Sequence, residues 1–144
     1  MEHSDINEAV VQDCPFCRKE HIVSQYVKNA SLEIKGEFIE YIEKGFMCPI
    51  TQSDDGNSWA SGKTFFENLL RARDAYRIKH SLLTSSEIVE IRKKYGLSQK
   101  ELSNLLGWGD VTVARYETKL IQDETSDNLL RMVASNPSLV LDGF

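Results

Sequence analysis

A chain of 144 residues, 41% of them hydrophobic and 27% charged, holds apolar material for one compact domain or two small ones, which excludes a disordered or fibrous class. No apolar run approaches the roughly 18 residues of a membrane span, and MEHSDINEAV has neither the basic start nor the apolar stretch of a secretion signal, so a cytoplasmic protein is expected. The net charge of −5 argues against nucleic acid only until it is divided: residues 1–62 carry five basic and eleven acidic groups, 63–80 five and two, 81–119 six and five, and 120–144 one and four. Phosphate responds to charge within about 10 Å at physiological salt, so the basic middle of the chain matters more than the total.

From the N-terminus, residues 13–51 predict a strand-rich unit. HIVSQYVKN, SLEIKG and EFIEYIEKGFMC are rich in β-branched and aromatic residues, and Asn29 and Lys35-Gly36 are the turn candidates of a three-stranded meander. Cys14 and Cys17 precede the first strand and Cys48 follows the last, so both ends can meet at one point. In a cytosolic chain a Cys-x-x-Cys pair favours metal or redox chemistry over a structural disulfide. A zinc ribbon needs a second pair, but CPIT puts Thr51 where the fourth thiolate belongs, and a neutral hydroxyl is a poor zinc ligand. His21 and His3 are the imidazoles that can complete three thiolates; the alternative is a metal-free remnant with the cysteines as small buried apolar residues. The βαβ context of a thioredoxin-like redox pair is missing.

TQSDDGNSWASG, residues 51–62, concentrates turn formers and predicts a loop between units. From Lys63 to His80, Phe65, Leu69, Ala72 and Tyr76 recur at helical spacing, with Arg71, Arg73 and Arg77 as basic flanks of a connecting helix. Trp59, Phe65 and Phe66 are read as core ahead of a docking surface. Thr84 with Glu87 and Ser98 with Glu101 each fit a capping box and mark two helix starts, ended by Gly96 and Gly107. Asp110 is the predicted cap of a third helix through Glu117, and SDNLLRMVAS predicts a fourth, broken at Asn136-Pro137.

On a helical wheel of about 100° per residue, Tyr116 falls near Val113 while Val111 and Arg115 point away. The third helix thus has a packed face and an outer face of Val111, Thr112, Arg115 and Lys119. These types suit a major groove: arginine donates bidentately to guanine, threonine bonds a base or touches a thymine methyl, and valine makes the apolar contact. Gln99 and Lys100, at the start of the second helix, are placed to hold phosphate. No nucleophile, base and orienting group can be assembled, so no enzyme is expected.

TSSEIVEIRKKYGLSQKELSNLLGWGDVTVARYE closely resembles the helix-turn-helix of zinc-finger antitoxin regulators of the MqsA type, within the Cro and lambda-repressor class. The order CPFC, strand-rich segment, second cysteine site, ENLLRARDAYRIKH and helix-turn-helix is similar to that family over nearly the whole chain. The resemblance implies a homodimer on a palindromic operator that represses an operon encoding a toxin, with Gln99, Thr112 and Arg115 at DNA-contacting positions and Tyr116 and Glu117 supporting the reading helix. Val111 stands where such motifs offer a polar reader, and Lys119 where glycine is common. The expected fold is α+β: a zinc-ribbon-like unit over 1–62, a connecting helix over 63–81 and an all-α helix-turn-helix domain over 82–144. LLRMVASNPSLVLDGF is the candidate dimer contact, or the lead into a further domain. The competing reading is an interaction module that neutralises a toxin through its first unit, with DNA binding secondary.

Overall fold

The computed structural model describes residues 5–51 and 56–142, with side chains over 9–51 and 56–140. It is an α+β fold: four antiparallel strands, β1 (Asp5–Cys14), β2 (Lys19–Ile34), β3 (Glu37–Met47) and β4 (Ser58–Trp59), in the order β1-β2-β3-β4, then α1 (Gly62–Lys79), α2 (Ser85–Lys94), α3 (Gln99–Leu105), α4 (Thr112–Thr118), α5 (Glu124–Ser135) and α6 (Pro137–Asp142). The chain divides into two compact units, 1–72 and 73–144, and the division falls inside α1.

The sheet differs from the predicted meander in three ways, one of them β4, which pairs Ser58 and Trp59 with Met47 and Phe46 inside the predicted 51–62 loop. A strand, β1, runs up to and ends on Cys14, and β2 runs straight through Asn29, which pairs with Ile42. Asn29 is exposed on a strand paired continuously with β3, so the ladder outweighs its turn preference. The true turn is Lys35-Gly36, both left-handed at φ 51° and 85°, which suits the twist of a two-residue hairpin. Tyr26 lies across Gly45, its register partner, so closely that a Cβ there would meet the ring at 2.5 Å. The Tyr26 hydroxyl donates to Glu43 at 2.7 Å, and burial followed by that carboxylate raises the phenol's pKa.

The first half of α1 closes the β3 edge. The Asn68 amide accepts from the Lys44 N–H (2.9 Å) and donates to the Lys44 carbonyl (2.8 Å), and Arg71 Nε donates to the Ile42 carbonyl (2.8 Å). These bonds explain a buried asparagine on a helix and serve backbone groups of an edge strand. Trp59 packs on Phe16 and Phe46 as expected of core, but Phe65 and Phe66 are 50% and 67% exposed and touch each other instead. They occupy the first turn of α1, ahead of the residues that reach the sheet.

In the second unit Ile88, Ile91, Leu102, Val113, Leu130 and Val133 form the core. Both capping boxes form, Thr84 with Glu87 and Ser98 with Glu101. Gly96 and Gly107 are left-handed at φ 66° and 76°, which lets the chain turn after α2 and α3 without a Cβ penalty. Asp110 does not cap α4; Val111 holds that position without a side-chain bond. The cap is dispensable because the Thr112 N–H reaches the Gly109 carbonyl and the Val113 N–H reaches Ser103 Oγ. Asn136 ends α5, and Pro137, whose missing N–H is harmless at a first helical position, starts α6.

Candidate nucleic-acid interface and metal centre

Short α4 is fastened at three points, within the 73–144 unit throughout. At its start, Ser103 Oγ accepts from the Val113 N–H (3.0 Å) and donates to the Gln99 carbonyl (2.9 Å), joining α4 to α3. At its end, the buried Glu117 carboxylate takes Arg92 Nε and Nη2 (2.8 and 3.1 Å) and the Gln99 amide (2.8 Å). That pairing raises the Arg92 pKa further. Beyond the helix, Arg77, fully buried, donates to the Tyr116 and Leu120 carbonyls (2.6 Å each), Gln122 Oε1 (3.0 Å) and Asp74 (2.9 Å). Asp74 in turn takes the Ser85 N–H and hydroxyl (2.8 and 2.6 Å). The fully buried Val113 lies between these ties, and Trp108 meets Tyr116 edge to face.

Opposite those anchors, Arg115 is exposed, and among the described residues its guanidinium has no partner. Val111 is 49% exposed, Thr112 half-buried and Lys119 exposed. Lys119 adopts φ −132°, so no glycine is required there. Lys100 is exposed, 3.9 Å from Asp110. Gln99 departs from the expected role: its amide already donates to Glu117, so it supports α4 before it can meet a phosphate. Nor are the arginines of α1 a solvated basic flank, since Arg71 bonds the sheet, Arg73 the Thr118 carbonyl (3.4 Å), and Arg77 is buried. Lys100, Arg115 and Lys119, by contrast, are exposed cations of the helix-turn-helix segment.

In the first unit Cys14, Cys17, His21 and Cys48 converge, each offering one ligand atom, all within 4.8 Å of one another. CPFC and CPIT fold alike: the Cys17 N–H donates to Cys14 Sγ (3.4 Å), and the Thr51 N–H to Cys48 Sγ (3.3 Å). Cys17 and Cys48 sulfurs lie 3.7 Å apart, and His21 Nε2 is 3.8 Å from Cys48 Sγ. Burial, which raises a thiol's pKa, is outweighed at Cys48 by hydrogen bonds from Thr51, bringing it down to about 6; burial and the contact with Cys48 raise Cys17. His3, the other imidazole, lies outside the described residues. The group has the donor types, spacing and low-pKa thiol of a site that could hold a metal ion.

Over residues 12–142 the sequence matches the family described as the antitoxin component of the bacterial toxin-antitoxin system, MqsA. The chain belongs to this family. No curated protein matches it. In this MqsA-family antitoxin the cysteine and histidine cluster lies in the first unit, and the ties that fix α4 lie in the second. Ser103, Arg92 and Arg77 escaped the sequence reading because each acts through a partner between 10 and 45 residues away. Arg92 with Glu117 had a signal, a charged pair whose members flank apolar core positions; Arg77 had none beyond its helix. Among the described residues no helix is long and apolar enough to cross a membrane.

Proposed function

We propose that this MqsA-family antitoxin is a cytoplasmic, sequence-specific DNA-binding regulator, without enzymatic activity, that represses its own operon as a homodimer on a palindromic operator. The observation that carries the reading is Arg115: exposed and, among the described residues, unpartnered, on a helix whose other side is tied down by Ser103, Glu117 and Val113. A side chain held on a rigid element at a fixed angle suits bidentate bonding to guanine, with Val111 and Thr112 beside it for a thymine methyl or a further base edge. Lys100 and Lys119 serve phosphates. Two copies are required physically, because one short helix reads only a few base pairs and half-sites about 34 Å apart multiply the discrimination. Leu105, Leu106 and Leu129, around a groove of roughly 300 Å³, support self-association through this unit.

The same proposal gives the first unit zinc as its structural ion, held by the thiolates of Cys14, Cys17 and Cys48, and gives it the toxin partner. Its eleven acidic and five basic residues over 1–62 favour a basic protein surface and repel DNA. Footprinting on the DNA flanking the gene tests the regulatory role: protection of two symmetric half-sites is expected, and absence of any protected segment contradicts it.

A further inference from the structure

CPIT leaves the cysteine site one thiolate short, and two side chains compete for the vacancy. Thr51 occupies the knuckle position equivalent to Cys17, its hydroxyl 3.4 Å from Cys48 Sγ and 4.0 Å from Cys17 Sγ. His21 comes from β2, whose alternation puts it on the face of Val23, and its register partner Gln12 lies two residues before Cys14. We infer that His21, through Nε2, is the fourth ligand of a single zinc ion held with Cys14, Cys17 and Cys48, and that Thr51 stays outside coordination as a hydrogen-bond partner of Cys48. The inference rests on the zinc reading above.

Three observations favour the imidazole. A tetrahedral zinc ion at about 2.3 Å from sulfur and about 2.0 Å from nitrogen separates its ligand atoms by about 3.5–3.8 Å. The Cys17–Cys48 separation of 3.7 Å matches the sulfur–sulfur edge, the Cys48–His21 separation of 3.8 Å exceeds the sulfur–nitrogen edge by about 0.3 Å, and all four ligand atoms already lie within 4.8 Å of one another. His21 Nδ1 lies 2.9 Å from the Ile22 carbonyl, which can only accept; the proton therefore sits on Nδ1 and the Nε2 lone pair faces the sulfurs. A ring fixed by a backbone carbonyl on its far nitrogen is the arrangement that orients metal-bound histidines. Thr51 lacks the corresponding chemistry: a neutral hydroxyl binds zinc weakly, while its proton is well used on a thiolate carrying extra charge. Three thiolates and one imidazole leave the centre at −1, where four thiolates would leave −2.

The test uses the full-length chain and its Cys14, Cys17 and Cys48 background, with zinc stoichiometry and affinity, and the charge-transfer and ligand-field bands of the cobalt(II) form, as readouts. Wild type is expected to bind one ion per chain with a tetrahedral cobalt spectrum, and Thr51→Ala to match it. His21→Ala should lose at least about a hundredfold in affinity, beyond the usual cost of removing an outer partner of a ligand. His21→Ala combined with Thr51→Cys should regain the ion, with added sulfur-to-cobalt intensity, which separates ligation from a folding defect. One ion per chain with His21→Ala unaffected overturns this inference and leaves the zinc reading standing, as does loss of the ion in Thr51→Ala alone. A wild-type chain that binds no zinc overturns both.

Discussion

The two units reach order by different means. In 73–144, α2 and α3 carry their own starts and stops: Thr84 and Ser98 cap them, Gly96 and Gly107 end them, and six buried apolar residues from α2, α3, α4 and α5 form the core. In 1–72, little is local. β1 is recognisable only by its pairing with β2, the α1 edge seal depends on Asn68 meeting Lys44, and the cysteines matter only because three segments bring them together. Short-range signals name elements, whereas contacts across tens of residues decide how those elements are used.

Arg77→Ala should sharpen this contrast most, because the helical unit has long-range dependencies of its own and Arg77 joins several of them at one buried side chain. Removing a buried guanidinium strips Asp74 of its cation and takes a donor from Gln122 and two carbonyls, at a cost of about 3–5 kcal/mol. Chemical denaturation should show this loss; a change below about 1 kcal/mol would mean that the local signals alone hold α4. A smaller effect is expected from Gly45→Ala in the sheet. Its Cβ would overlap the Tyr26 ring at 2.5–2.6 Å, forcing a shift worth about 1–3 kcal/mol. If Gly45→Ala is neutral, the Tyr26 ring moves freely and the register of β2 on β3 is set by the Lys35-Gly36 hairpin.

The same contrast explains what the sequence made legible. The capping boxes, the glycine stops, the hairpin at Lys35-Gly36 and the inward Val113 all rest on spacings within a few residues, and all were readable. Asp110 is not the cap because the Val113 N–H is taken by Ser103 of α3 and the Thr112 N–H by the Gly109 carbonyl, neither of which local propensity reveals. Arg77 misled because a cation on an amphipathic helix is normally solvated, and its burial becomes favourable only where four acceptors converge. His21 was readable as a candidate by residue type alone; its choice over Thr51 needed the β2 register and the Ile22 carbonyl.

The central claim is that α4 is held rigid so that Arg115 can read a base, and titration of wild type and Arg115→Ala against the gene's flanking DNA and against unrelated DNA, across a range of salt, addresses it most directly. Loss of about 1–3 kcal/mol of preference for the flanking sequence is predicted for the variant, with unrelated DNA bound much as before. Equal weakening on both sequences, or an unchanged preference, would contradict the account and make Arg115 a phosphate contact or a bystander.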